Sequence, residues 1–128
     1  MNIVDSSCWL EYFAGSKVGE KVSAVIEKVD DLLVPSITIY EVFKKLILEL
    51  DEDRALFAAA HMKQGRVIDL DSDLAIYAAQ VSKEYKLPMA DSIIYAIGKK
   101  NNAQLWTQDK HFEKLDNIKY FSKEHNSI

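Results

Sequence analysis

Apolar residues follow two alternating patterns along this chain. Short continuous apolar runs predict buried strands, whereas apolar residues spaced three or four apart predict amphipathic helices. Strands this short and apolar, separated by helices, are typical of a parallel sheet covered on both faces. The chain is therefore predicted to be an α/β protein. Its predicted strands are residues 2–4, 32–34, 66–70, 104–106 and 118–121.

Helix-capping residues and helix breakers set the predicted helix bounds. Gly15 and Gly65 are predicted to end two helices, while Pro35 closes the second strand and Pro88 separates the last two helices. Candidate first residues or caps are Ser6 or Ser7, Ser36 or Thr38, and Asp71 or Ser72. The predicted helices follow Ser6 or Ser7 up to Gly15, and then cover 17–29, 36–50, 52–64, 71–85 and approximately 88–100.

Composition indicates an ordinary globular protein. A length of 128 residues favours a single domain over residues 1–128, and 48% hydrophobic with 28% charged residues is typical of that class. The one cysteine, Cys8, cannot form an internal disulfide and suits a reducing cytoplasm. The N-terminus lacks the features of a signal peptide, and no apolar run is long enough to span a membrane. We expect a cytoplasmic protein that does not contact membranes, with the C-terminal KEHNSI frayed.

The charge balance limits how the chain could bind a polyanion. A net charge of −4, from 16 basic and 20 acidic residues, is unlike that of proteins that bind nucleic acid through overall charge. Any such contact must use small basic clusters or a bound cation. Lys44, Lys45 and Lys110 are the candidates for phosphate contact, because each lies close in sequence to an acidic residue of interest.

Four acidic residues stand out against this predicted frame. Asp5 follows the first strand, Glu41 lies early in the helix after the second strand, and Asp109 follows the fourth strand. Asp91 begins the apolar helix LPMADSIIYAIGKK. Ligands of open α/β sheets bind outside the carboxyl ends of the strands, so we expect Asp5, Glu41 and Asp109 to lie near one edge. Asp91 joins them if the start of its helix points the same way, and the hypothesis is that all four meet.

Carboxylates that lie together repel one another and raise one another's pKa. They remain ionised at low cost when a cation lies between them. An all-oxygen ligand set favours a hard ion such as Mg²⁺, with Mn²⁺ as a possible substitute. One or two such ions could activate water for hydrolysis of a phosphodiester bond.

Each acidic residue also has a structural explanation on its own. Asp5 could cap the first helix, and Asp91 could cap the helix that it begins. Glu41 could form a capping box with Thr38 or an ion pair with Lys45, and Asp109 could cap a short helix. These explanations do not account for the expected convergence of all four residues.

The histidines give a weaker signal. His61, His111 and His125 do not have the spacing of a zinc site. His111 lies two residues after Asp109 and could line the same cleft. A solvated position on a helix is the more common role for such a residue, and we assign His111 to that role.

The motifs VDSS, PSITIYE, LPMADSIIYA and LWTQDKHF together resemble those of PIN-domain nucleases, and most closely the VapC-type toxins of toxin–antitoxin pairs. The resemblance implies a three-layer α/β/α sandwich around a short, mostly parallel sheet. It implies a metal-dependent endoribonuclease, a homodimer, and inhibition by a cognate antitoxin protein. The catalytic and metal-binding residues it implies are Asp5, Glu41 (directly or through water), Asp91 and Asp109, supported by Ser6 and Thr107, with Phe112 closing the last motif.

Two other classes remain open from the sequence. A receiver-type phosphoacceptor domain has a similar length and an acidic Mg²⁺ pocket, but it needs two adjacent acids after the first strand, where VDSS offers one. A non-catalytic PIN-like module that binds RNA or protein would share the fold. The complete acidic set favours the enzyme, since a binding module has no need to retain it.

Overall fold

A computed structural model describes residues 1–123 and contains five strands and six α-helices. The predicted fraying concerns residues 123–128, of which 124–128 lie outside the described residues. Within the described part of the chain, no helix combines the length and apolarity that crossing a bilayer requires. The elements are β1 (Asn2–Val4), α1 (Ser6–Ala14), α2 (Lys17–Glu27), β2 (Leu32–Pro35), α3 (Ser36–Glu49), α4 (Glu52–Met62), β3 (Arg66–Ile68), α5 (Ser72–Tyr85), α6 (Met89–Asn101), β4 (Gln104–Thr107) and β5 (Ile118–Tyr120).

The five strands form one parallel sheet in the order β3-β2-β1-β4-β5. The central pair is β1 and β4, in which Ile3 lies opposite Leu105 and Val4 opposite Trp106. The strand order reverses at this pair, which is where open α/β sheets bind their ligands. Flavodoxin-like receivers have the order 2-1-3-4-5. The topology therefore excludes the receiver hypothesis.

Helices cover both faces of the sheet, as predicted. Alternate strand residues point to opposite faces, so Ile3 contributes to one hydrophobic cluster and Val4 to the other. The Ile3 cluster contains buried residues of α5 and α6, and the Val4 cluster contains those of α1 to α4. The result is an α/β sandwich with two cores.

Helix α6 is enclosed by the rest of the fold. Seven consecutive residues, Ser92 to Gly98, are buried, because the helix packs between the sheet and α5. A helix that is apolar all round is expected in such an interior position. Its C-terminus closes at Asn102 in the left-handed conformation. Packing on all sides fixes α6 firmly, and Asp91 in its first turn is held at a defined point.

The hairpin of α1 and α2 depends on a close helix–helix approach. Gly15 adopts φ +71° and ends α1, after which Ser16 caps α2 by accepting a hydrogen bond from Gly19 N. A Cβ atom on Gly19 would lie 2.3 Å from the backbone oxygen of Glu11. No larger residue fits at Gly19 without moving the two helices apart.

Several predicted boundaries differ from the structure: α2 ends at Glu27 rather than residue 29, and α4 ends at Met62 rather than residue 64. Asp5, rather than Ser6 or Ser7, caps α1, because its carboxylate accepts a hydrogen bond from Cys8 N. Helix α3 begins at Ser36, as predicted, although no side chain caps it. Strand β3 ends at Ile68 rather than residue 70, since its last partner, Pro35, is the end of β2.

Two helical glycines give a matched test of this packing. We expect Gly19→Ala to lower the free energy of unfolding by about 2–3 kcal/mol, because its Cβ would collide with backbone atoms. A Cβ on Gly98 would meet its neighbours at 3.6 and 3.7 Å, which is ordinary contact. Gly98→Ala should therefore be neutral or stabilise the protein by up to about 1 kcal/mol, since alanine favours helices. Urea denaturation of both variants measures the difference, and equal losses would contradict this account.

Candidate active site

A cleft of about 410 Å³ opens at the carboxyl edge of the sheet. The structure brings all four predicted acidic residues to it, although they come from four separate segments of the chain. Polar and charged side chains dominate its wall. The lining residues are Asp5, Ser6, Ser7, Glu41, Asp91, Ile94, Gln108, Asp109, Lys110, Tyr120 and Lys123.

Asp5 is the most buried of the four acidic residues, with 4% of its surface exposed. Its carboxylate accepts hydrogen bonds from the hydroxyls of Ser7 and Thr107 and from Cys8 N. Burial raises the pKa of Asp5, while these three donors act in the opposite direction. Asp5 thus caps α1 and lines the cleft at the same time, so its capping role and a functional role are compatible.

Glu41 reaches the cleft from α3. Its carboxylate is hydrogen-bonded to Ser6, and desolvation, together with the charges of Asp5 and Asp109, raises its pKa. The structural explanations for Glu41 were wrong. Helix α3 follows Pro35, so Thr38 is not a cap, and Lys45 pairs with Glu49 at 2.7 Å instead.

Asp91 does not cap its own helix, since α6 follows Pro88 without a side-chain cap. Its Oδ2 lies 2.9 Å from Nδ1 of His111, and its carboxyl group is hydrogen-bonded to that of Asp109. Desolvation, and then the charge of Asp109, raises the pKa of Asp91 to about 7. A raised pKa of this kind marks charges brought together at a cost, which is typical of functional sites.

Asp109 follows β4 and precedes a short 3-10 helix of one turn, Lys110–Phe112. Its carboxylate accepts a hydrogen bond from His111 N, so the predicted capping role is present here also. Phe112 is fully buried in the α5–α6 core and anchors the turn. Asp109 is held between that core and the cleft.

The donor set fits a divalent cation. One ligand atom each from Asp91, Asp109 and His111 lie within 4.8 Å of one another. Asp5 and Glu41 line the same cleft outside this compact group. Desolvation and neighbouring negative charge raise the pKa of Asp5, Glu41 and Asp91, and a bound cation would relieve that cost. Their role as metal ligands stays a prediction.

The hydroxyls expected to support the site make specific contacts. Ser6 is hydrogen-bonded to Glu41, and Thr107 donates to Asp5. Thr107 also accepts a hydrogen bond from Asp109 N, so it connects two of the acidic residues.

The predicted basic residues divide into two groups. Lys110 lines the cleft. Lys44 lies over the ring of Tyr40 beside a separate apolar groove, and Lys45 is paired with Glu49. The structure therefore gives no support to substrate contact by Lys44 or Lys45.

Sequence reasoning missed two parts of the cleft. Tyr120 and Lys123 line it from the end of β5 and the segment after it. The rule that ligands bind at the carboxyl ends of parallel strands applies to β5 as well, and it could have identified both. His111 is exposed, as predicted for a solvated position, and it also contacts two of the acidic residues.

Residues 3–118 match the PIN domain family. No curated protein matches. Among solved structures, a toxin–antitoxin complex from Klebsiella pneumoniae has a chain with 21% identity and a TM-score of 0.79, covering 95% of this chain and 99% of that one.

Two further solved structures share the fold. A sarcin–ricin loop cleaving toxin from Mycobacterium tuberculosis has 18% identity and a TM-score of 0.74, with 92% of this chain and 97% of that one covered. A DNA-bound VapBC complex from Salmonella typhimurium has 18% identity and a TM-score of 0.70, with 95% and 98% covered.

The raised pKa of Asp91 predicts a pH-dependent loss of stability in metal-free protein. Its stabilising contribution is fully present below the unfolded pKa of about 4, and is lost as pH rises through the folded pKa of about 7. Asp91→Asn stays neutral. Between pH 4.5 and pH 8, the free energy of unfolding of Asp91→Asn should therefore rise by roughly 1–2 kcal/mol relative to that of the wild type. This figure is discounted for the partial exposure of Asp91.

Urea denaturation in the presence of a chelator at several pH values measures this difference. The exposed Asp53 offers a matched control, since Asp53→Asn should follow the pH dependence of the wild type. If the free energies of unfolding of Asp91→Asn and the wild type changed equally with pH, the pKa of Asp91 would not be raised by folding.

Proposed function

The chain belongs to the PIN domain family, and from this we propose that it is a metal-dependent endoribonuclease that hydrolyses RNA phosphodiester bonds. One observation carries the proposal: Asp5, Glu41, Asp91 and Asp109 line a single cleft although up to 104 residues separate them along the chain, from position 5 to position 109. Capping roles explain Asp5 and Asp109 singly, but they do not explain this convergence. We assign the whole of residues 1–128 to one nuclease domain.

The four carboxylates would hold one or two Mg²⁺ ions, or Mn²⁺ in their place. When bound, such an ion supplies a hydroxide nucleophile from water and neutralises charge on the phosphate oxygens. Ser7 and Thr107 orient the Asp5 carboxylate from two sides, and Ser6 does so for Glu41. These hydrogen bonds fix the acidic side chains in advance, which limits the reorganisation needed when substrate binds.

Two lysines favour a polyanionic substrate at this cleft. Lys110 and Lys123 are exposed residues on its wall, where their ammonium groups could contact phosphates on either side of the scissile bond. An acidic protein needs such local cations, because its overall charge repels nucleic acid. The name of the Mycobacterium tuberculosis neighbour describes cleavage of the sarcin–ricin loop, and this supports RNA as the substrate.

We assign the chain to the toxin of a cytoplasmic toxin–antitoxin pair, with a cognate antitoxin protein as partner and a homodimeric toxin. The solved structures from Klebsiella pneumoniae and Salmonella typhimurium are toxin–antitoxin complexes, which supports the partner. Helices α3 and α4 also expose large apolar side chains, with Leu48 at 73% and Phe57 at 68% exposure. Apolar surface of this kind is suited to protein–protein contact.

Loss of one carboxylate tests the catalytic assignment. Asp5→Asn keeps the shape of the side chain but removes a charge from the cleft, so RNA cleavage in Mg²⁺ should slow by at least about 100-fold. Asp91→Asn should have a similar effect. Asp53→Asn, on the exposed surface of α4, should cleave at the wild-type rate.

Circular dichroism of the same samples separates loss of chemistry from loss of folding. Folded Asp5→Asn and Asp91→Asn proteins that cleave as fast as the wild type would refute the assignment. A wild type that binds RNA in Mg²⁺ without cleaving it would instead identify a non-catalytic binding module.

The toxin assignment predicts arrest of growth on expression in a bacterial host. Induction of the wild type should stop growth and create new, specific RNA ends, whereas Asp5→Asn should do neither. Co-expression of the product of the adjacent small reading frame should restore growth and remove the new ends. Intact RNA and normal growth under both conditions would contradict the assignment.

A further inference from the structure

His111 contacts two of the acidic residues that line the cleft, Asp91 and Asp109. Its Nδ1 atom is 2.9 Å from Oδ2 of Asp91 and 2.9 Å from Oδ1 of Asp109. These three atoms also belong to the compact group that could hold a metal ion. A single imidazole nitrogen therefore lies equally close to two carboxylates from different elements of the fold.

These separations suit ligation of one ion. Neighbouring ligand atoms of an octahedral ion with bonds of about 2.1 Å lie about 3.0 Å apart, the edge of the octahedron. The two separations from Nδ1 match that edge. Nδ1 can act as a ligand when the ring is neutral and its hydrogen is on Nε2.

The fold holds this imidazole in place while leaving it open to solvent. His111 is the middle residue of the turn Lys110–Phe112, whose last residue is buried in the core. Its backbone N–H donates to Asp109, which fixes the start of the turn. The side chain of His111 is nevertheless 55% exposed, so an ion could reach it without unfolding the site.

We propose that His111 is a metal ligand together with Asp91 and Asp109, and that it makes this site prefer Mn²⁺ over Mg²⁺. Mg²⁺ favours oxygen ligands, whereas imidazole binds well to the later and softer transition ions. Replacing one oxygen ligand by nitrogen therefore shifts the preference toward Mn²⁺. This inference rests on the proposed metal-dependent function, and it identifies His111 as the residue that determines which ion binds.

Metal binding to full-length, metal-free protein tests the ligand assignment without using activity. His111→Ala should weaken Mn²⁺ binding by at least about tenfold, because a direct ligand is lost. Mg²⁺ binding should change by less than about threefold, so the ratio of the two affinities should fall. Lys114→Ala, an exposed change three residues further along, should bind both ions like the wild type. Isothermal titration with each ion gives the affinities.

Pulsed electron paramagnetic resonance of the Mn²⁺-loaded protein reports ligation directly. The wild type and Lys114→Ala should show ¹⁴N modulation from a coordinated imidazole, and His111→Ala should lack it. Unchanged or tighter Mn²⁺ binding in His111→Ala, with no ¹⁴N modulation in the wild type, would show that His111 only pairs with the carboxylates and would overturn the proposal. If the wild type bound neither ion, the proposed metal-dependent function would fail as well.

Discussion

The hydrogen bonds to the buried carboxylate of Asp5 are the interaction on which this site depends. Burying a carboxylate is costly unless donors compensate for the lost water. Here Thr107 supplies one donor from the end of β4, while Ser7 and Cys8 supply the others from the start of α1. The same contacts join the two central strands at their carboxyl ends. The same hydrogen bonds therefore stabilise the fold and orient the carboxylate of Asp5.

The remaining acids oppose folding. Asp91 and Asp109 are close enough to share a hydrogen bond, and burial with mutual charge raises the pKa of Asp91 to about 7. An enclosed α6 and the buried Phe112 hold the two groups in place against this repulsion. Apolar packing on one face of the sheet thus stabilises a concentration of negative charge that would not form by itself. The cleft lowers the stability of the folded protein and the apolar core offsets that loss, as is common for functional sites.

The elements could be predicted from sequence because their patterns are local. The apolar runs of β1 and β4 and the helical spacing in α2 are readable without tertiary information. The convergence of Asp5, Glu41 and Asp109 was also predictable, since it follows from strand ends in a parallel sheet, whereas the position of Asp91 depends on how α6 packs. Contacts that depend on which way a side chain turns were not. Lys123 lines the cleft and His111 contacts two of its acidic residues, whereas Lys44 lies in a separate groove and Lys45 pairs with Glu49. Only packing between elements decides such contacts.

Sequence separation in the central strand pair has a consequence for biosynthesis. β1 is made first, yet it pairs with β4, and the partner that orients Asp5 lies 102 positions later. Contacts between such distant segments form late, because closing a long loop costs entropy. A nascent chain on the ribosome consequently lacks the assembled cleft until β4 has emerged. The complete acidic cleft can therefore form only after most of the chain has been synthesised.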